Sequence, residues 1–174
     1  MNCVIFVAHP APSSLTKNLA TTFKQGIVAA GHSATMFDIF HKPFDEANIT
    51  TLQDLIKTAD GIAFAFPWWW EMPPYPMVEL LQKVFVNGFA FTHDGNHKKT
   101  SLLSLPTQLI ICAGQAKTDI QLGNLKMAMD YCGLKPITPL VLSGVGPSLS
   151  QAVVNEFHRG ALAAGQNFFK DDNK

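Results

Sequence analysis

The sequence predicts an α/β fold of three layers, in which a five-stranded parallel sheet is covered by helices on both faces. Apolar runs of strand length alternate with helical patterns along all 174 residues. Several of these runs are apolar throughout, so they lack a solvent face and belong in the middle layer. Gly31 and Gly133 stand where helix C-terminal stops belong.

The elements follow in order. Asn2–Ala8 is a nearly uninterrupted apolar run and reads as the first strand. Ser14–Ala30 repeats Leu15, Leu19, Phe23 and Ile27 every fourth residue and reads as a helix. Ala34–Ile39 is the second strand and Thr50–Thr58 the second helix. Gly61–Phe66 is strand three, wholly apolar, and Met77–Val86 the helix after it. Gln108–Ala113 and Lys135–Ser143 are strands four and five, separated by a helix over Ile120–Gly133. Ser150–Phe168 closes the pattern as the last helix. The longest irregular connection runs from Gly88 to Pro106, and loops of that length are usually functional or mobile. Only the tail Lys170–Lys174 reads as frayed. No composition shift, repeat or low-complexity tract marks a boundary, so residues 1–174 read as a single domain.

Composition narrows the function. Hydrophobic residues make up 47% of the chain and charged ones 15%, with thirteen basic side chains against thirteen acidic. That balance leaves no footprint for nucleic acid or for an anionic membrane surface. No apolar stretch approaches the roughly 20 residues of a membrane helix. The N-terminus lacks the positive flank of a secretory signal, and its apolar run ends at His9-Pro10, so a cytoplasmic protein is expected. Cys3, Cys112 and Cys132 are odd in number and lack CxxC spacing, and are expected as buried, reduced thiols with no metal role.

Three segments carry candidate chemistry. Between strand one and helix one lies Ala8-His9-Pro10-Ala11-Pro12-Ser13-Ser14-Leu15-Thr16-Lys17-Asn18. Helix N-termini expose unpaired N–H groups and a positive dipole, which suits an anion such as phosphate. Pro10 and Pro12 have no N–H, so donors begin at Ser13, joined by the side chains of Ser13, Ser14, Thr16 and Asn18 and the charge of Lys17. Capping by Ser13 or Ser14 is expected in any case and is compatible with phosphate binding. After strand three comes Phe66-Pro67-Trp68-Trp69-Trp70-Glu71-Met72-Pro73-Pro74, with every tryptophan of the chain. Consecutive indoles leave a strand end in different directions and each needs a partner for its N–H, which points to a flat aromatic ligand or to an interface. After strand four, Ala113-Gly114-Gln115 offers a glycine where backbone can approach a ligand. In a doubly wound sheet of order 2-1-3-4-5, these three segments converge at the carboxyl ends of strands one, three and four. A flavin mononucleotide fits the combination.

The residues also resemble a family. His9-Pro10-x-Pro12 with Asn18, then Phe66-Pro67-x-x-Trp70-x-x-Pro73, then Lys83-Val84-Phe85 leading into Gly88-Phe89-Ala90-Phe91, resemble the flavodoxin-like NAD(P)H:quinone oxidoreductases across essentially the whole chain. The short bacterial members, including ancillary oxidoreductases of glutathione-gated potassium efflux systems, are most similar. The resemblance implies a flavodoxin-like fold and a homodimer with a flavin in each of two sites near the subunit interface. It also implies hydride transfer from NAD(P)H through the flavin to a quinone, with ping-pong kinetics. Carried over by position, His9 and Ser13, Ser14, Leu15, Thr16, Lys17 and Asn18 would hold the flavin phosphate and ribityl chain. Pro67, Trp68, Trp69 and Trp70 would line the ring, with Trp70 as the stacking residue, and Ala113, Gly114 and Gln115 would cover its pyrimidine edge. FMN is expected over FAD, because a short chain leaves little wall for an adenosine.

The chain departs from the family at the substrate side. Glu71 stands where a stacking aromatic is usual, and Phe91 and His93 replace tyrosines on the stretch that reaches the partner's pocket. Gly114-Gln115 replaces a Gly-Gly pair, and Ala116 to Leu122 has neither the tyrosine nor the histidine credited with proton relay. Glu71, Phe91 and His93 are therefore the expected substrate-pocket residues, with His93 or His97 as alternative proton donors. The competing reading is a flavin-binding regulatory subunit docked on a transporter or other partner, with little or no turnover. A one-electron carrier would show a strongly acidic face, which the balanced charge disfavours.

Overall fold

Asn2–Val7 forms strand β1 through the middle of the protein, and Cys3 to Val7 are at most 1% exposed in the computed structural model. The structure describes residues 1–115 and 120–170. Along the chain follow α1 (Leu15–Ala29), β2 (Ser33–Asp38), α2 (Glu46–Lys57), β3 (Gly61–Trp68), α3 (Tyr75–Lys83), β4 (Phe91–His93), β5 (Lys99–Ser101) and β6 (Leu105–Ala113). The order ends with α4 (Gly123–Tyr131), β7 (Leu134–Pro136), β8 (Leu140–Leu142) and α5 (Gln151–Asn167). The main sheet is parallel, in the order β2-β1-β3-β6-β7, with β8 also paired to β6.

Alternation of side chains splits the core in two. Val4, Phe6, Phe64, Phe66, Leu109 and Ile111 pack under α2, α3 and α4, while Cys3, Ile5, Val7, Ala63, Ala65, Ile110 and Cys112 pack under α1 and α5. Full burial of each large aliphatic or aromatic side chain is worth about 1.5–3 kcal/mol, so β1 and β3 anchor both layers at once. Gly31 and Gly133 end their helices with φ of 83° and 77°, the left-handed stop that glycine permits.

Two expectations are corrected. The sheet has six strands rather than five, because the expected strand Lys135–Ser143 is two short segments, β7 and β8, laid end to end along β6. The ladder is interrupted where Pro139 has no N–H to give. The buried side-chain amide of Gln108 fills the break by donating to the carbonyls of Leu109 at 2.9 Å and Thr138 at 3.1 Å. The connection from Gly88 to Pro106 is not irregular throughout, since β4 and β5 form an antiparallel hairpin within it. Asp94 organises its turn by accepting from the N–H groups of Asn96 and Lys98, both at 2.9 Å.

Boundaries also move. β3 continues to Trp68, carrying the first tryptophan into the sheet. α2 starts four residues before Thr50, because Asp45 caps it by accepting from the N–H of Asn48 at 2.9 Å. The loop expectations at Ala116 to Asp119 lie outside the described residues, as does the tail beyond Lys170.

Candidate functional site

The carboxyl ends of β1, β3 and β6 enclose a cavity of about 310 Å³ lined by His9, Leu15, Thr16, Pro67, Trp69, Cys112, Gly114 and Val145. Its size lies at the lower end of the small-ligand range. The topology places it where β1 and β3 part company with their crossovers running to opposite faces, the position at which such sheets bind ligands.

The start of α1 forms one wall. Ser14 is the N-cap, its hydroxyl accepting from the Lys17 N–H at 3.2 Å, and its carbonyl accepts from Asn18 N–H at 3.0 Å. The amides of Leu15 and Thr16 belong to the first turn and have no intrahelical acceptor. Both residues line the cavity, and the first turn holds no acidic side chain. These are the donors an anionic group would meet.

His9 stands beside them. Its Nδ1 accepts from the Ala11 N–H at 3.1 Å, so the neutral ring carries its proton on Nε2 and can donate there. Burial, with the neighbouring Lys17 charge, pushes its pKa below 6.5, outweighing the pull of Asp38. Lys17 lies in an ion pair with Asp38 at 2.6 Å, which offsets part of its charge. The His41 Nε2 donates to the Pro10 carbonyl at 2.8 Å and fixes the loop from below.

The tryptophan segment is resolved into three different environments. Trp68 is buried at the end of β3, 3% exposed, and its indole N–H donates to Glu71 Oε2 at 3.4 Å. Trp69 lines the cavity and meets the His9 ring at 6.0 Å. Trp70, the indole expected to stack on the ligand, does not line the cavity and is 91% exposed. The reason is local geometry: Trp69 and Met72 exchange N–H to carbonyl hydrogen bonds at 3.0 and 2.9 Å, and the two residues between them turn with φ of 52° and 59°. This is a two-residue hairpin of mirror-image handedness. It throws Trp70 outward and brings Glu71 back, where Glu71 Oε1 accepts from the Gln115 side-chain amide.

The third wall comes from the end of β6. The β8 to α5 connection is laced to it by Val145 N–H donating to Ala113 carbonyl at 2.9 Å and Gly144 N–H donating to Gln115 carbonyl at 3.2 Å. Among the described residues, a Cβ on Gly114 would meet only the Val145 carbonyl, at 3.7 Å. Packing therefore does not demand glycine here, and its bare backbone faces the cavity. Sequence reasoning missed two lining residues, Val145 and Cys112. Val145 lies in a loop with no motif, whereas Cys112 was assigned to the core. It is a free thiol, raised in pKa by burial against the opposing pull of the Thr16 hydroxyl.

Other expected site residues lie elsewhere. Ser13, Lys17, Asn18, Ala113 and Gln115 adjoin the cavity without lining it. Phe91 and His93 sit at the other end of β6, because Tyr131, which accepts or donates at 2.7 Å with His93 and packs edge-on against Phe91 at 4.9 Å, leads directly into β7 beside Leu105. The nine residues of β6, a rise of roughly 26 Å from first to last, separate the two ends. There Phe91 joins Leu81, Phe85, Met127 and Tyr131 in an apolar depression of about 470 Å³. A larger open cleft of about 570 Å³ lies between Phe40 and Lys83, with Lys42 and Lys83 balanced by Asp45 and Glu79. Among the described residues, no cluster of His, Cys, Asp and Glu is arranged to hold a metal, and no helix is long and apolar enough to cross a membrane.

Comparison with known proteins agrees with the architecture. No protein of curated function matches the sequence. Among solved structures, an NAD(P)H:quinone oxidoreductase from Methanothermobacter marburgensis superposes with a TM-score of 0.79 at 20% identity, over 96% of this chain and 98% of its own. An FMN-dependent NADH-azoreductase from Bacillus anthracis in complex with FMN gives 0.79 at 12% identity, over 96% and 99%. The general stress protein 14 of Treponema denticola in complex with FMN gives 0.73 at 19% identity, over 97% and 99%. At these identities the likeness establishes the fold. Residues 1–163 match the Flavodoxin_2 family, described by its flavodoxin-like fold, and the chain belongs to that family.

Proposed function

We propose that the cavity binds FMN and that the protein is an NAD(P)H-dependent oxidoreductase acting on a quinone-like acceptor. The observation that carries this is the convergence, in one cavity, of the unpaired Leu15 and Thr16 amides, the His9 Nε2 donor, the Pro67 and Trp69 wall and the bare backbone of Gly114. An anionic phosphate suits the first two, and a flat ring suits the last two. Two structurally similar proteins hold FMN, and others are quinone reductases or azoreductases. FMN is preferred to FAD on the same grounds as before.

The bound flavin would supply the hydride chemistry, accepting from the nicotinamide and passing to the acceptor. The protein's part is binding and orientation. The α1 amides and His9 hold the phosphate end, Trp69 and Pro67 fix the ring against β3, and the Gly114 backbone N–H offers charge stabilisation at the ring's edge.

We further propose a single-domain, cytoplasmic homodimer. The apolar depression around Leu81, Phe85 and Phe91, with Met127 68% exposed and Tyr131 41% exposed, is the surface that supports self-association. His93 lies far from its own cavity, so a proton-donor role for it requires delivery to a second copy. Anaerobic mixing of the FMN-loaded protein with NADH or NADPH, followed by menadione, tests the reading. Loss of the flavin's visible absorption with the dinucleotide and its return with menadione are expected. Flavin retained without either change would favour a regulatory subunit of a transporter or other partner, and would overturn the enzyme reading.

A further inference from the structure

The two loops that frame the cavity mouth are joined by one side chain, Glu71. Its Oε2 accepts from the Trp68 indole N–H at 3.4 Å and its Oε1 from the Gln115 amide, so it spans from the end of β3 to the end of β6. It is held there by the turn in which Trp70 and Glu71 both take left-handed backbone, the geometry that ordinarily selects Asn-Gly. Non-glycine residues persist in such conformations where the surroundings over-determine them, and such positions cluster at ligand clamps.

Both described donors to Glu71 are neutral, and among the described residues no cation is paired with it. The other ionisable groups at the cavity contribute little net charge: Lys17 is paired with Asp38 at 2.6 Å, and His9 is biased toward its neutral form. Among the described residues framing the mouth, the net charge is therefore negative and resides on Glu71. Glu71 does not itself line the cavity, but it bridges Trp68 and Gln115, which flank the lining residues Pro67, Trp69 and Gly114.

We propose that Glu71 determines the charge class of the electron acceptor, admitting neutral and cationic acceptors and discriminating against anionic ones. The proposal rests on the flavin oxidoreductase reading above and adds the substrate class to it. A unit charge within a Debye length alters the encounter rate of a monoanion by about threefold at low salt, more for multiply charged acceptors, and the effect fades as salt screens it.

The test compares wild type with Glu71→Gln, which keeps the size and an acceptor oxygen for Gln115 or Trp68. The FMN-loaded proteins are photoreduced, so that the dinucleotide's own charge does not enter, and reoxidised in a stopped-flow mixer by menadione, a naphthoquinone monosulfonate or ferricyanide. In the variant the sulfonate-to-menadione rate ratio should rise about threefold and the ferricyanide-to-menadione ratio further, with both gains vanishing in high salt. As a readout independent of turnover, naphthalenesulfonate should bind the oxidised variant more tightly relative to neutral naphthol, followed by perturbation of the flavin spectrum. Equal ratios in the two proteins, or gains insensitive to salt, would overturn the proposal while leaving the flavin reading intact. Failure of the wild type to take up flavin would overturn both.

Discussion

The seam between α1 and α5 and the hairpin at the cavity rim use glycine in opposite ways. At the seam, Gly26 and Gly165 sit in regular helix, where chirality asks nothing of them, yet a Cβ on either would lie 2.2 Å from a backbone carbonyl of the facing helix. Glycine is there because two backbones touch. At the rim, Trp70 and Glu71 occupy left-handed backbone with φ of 52° and 59°, where glycine would relieve strain, and neither is glycine. The first region has given up side chains for packing. The second has kept side chains against a conformational cost of about 1–3 kcal/mol per residue. That contrast separates a region built for packing from one where Glu71 is kept in strained backbone and meets Trp68 and Gln115.

The largest expected effect is at the seam. Gly165→Ala should destabilise the protein by about 3 kcal/mol in urea unfolding, because the helices must separate, and this outweighs the roughly 1 kcal/mol that alanine adds in helix propensity. A loss below about 1 kcal/mol would mean that the helices slide apart freely. At the site, Trp69→Ala should weaken FMN binding by about 1–2 kcal/mol, roughly tenfold in Kd, with Trp70→Ala costing clearly less. The reverse ranking would place the stacking indole on Trp70 and require the hairpin to turn inward when flavin binds.

A smaller effect of opposite sign is expected at the rim. Trp70→Gly removes an indole that is 91% exposed and relaxes a left-handed residue, so the flavin-free protein should gain up to about 1 kcal/mol of stability. A marked loss would show that the indole packs in solution. The smallest effect concerns His9. Its folded pKa is lowered, so it costs nothing above about pH 6.5, where the ring is neutral in both states. As pH falls below 6.5 the unfolded chain takes the proton first and stability declines until the folded value is passed. Near a bound phosphate the same ring should become more basic, so FMN should raise the His9 pKa in an NMR titration. No upward movement would separate His9 from the phosphate.

Much of this was legible in the sequence, for identifiable reasons. β1 and β3 are apolar on both faces, and α1 repeats its leucines and aromatics every fourth residue, so the layers and their order could be read directly. The split of the last strand was not, since Gln108 supplies the missing ladder contact from a distant segment. Nor was the β4–β5 hairpin, whose three-residue strands are too short to show a period. At the site, His9, Thr16, Pro67 and Gly114 follow from chain position at strand ends. The fate of each tryptophan does not, because it is decided by the handedness of one turn, and Trp-Glu gives no hint of the left-handed pair that glycine or asparagine would have announced.

The central claim is that the carboxyl ends of β1, β3 and β6 form a flavin site. Titration of the purified protein with FMN, followed by the visible difference spectrum and by mass identification of whatever heat releases from the untreated protein, tests it most directly. The account predicts one FMN per chain, a shifted and structured flavin band, and FMN as the released compound. A colourless protein whose spectrum with added FMN or FAD is the plain sum of its parts would contradict it.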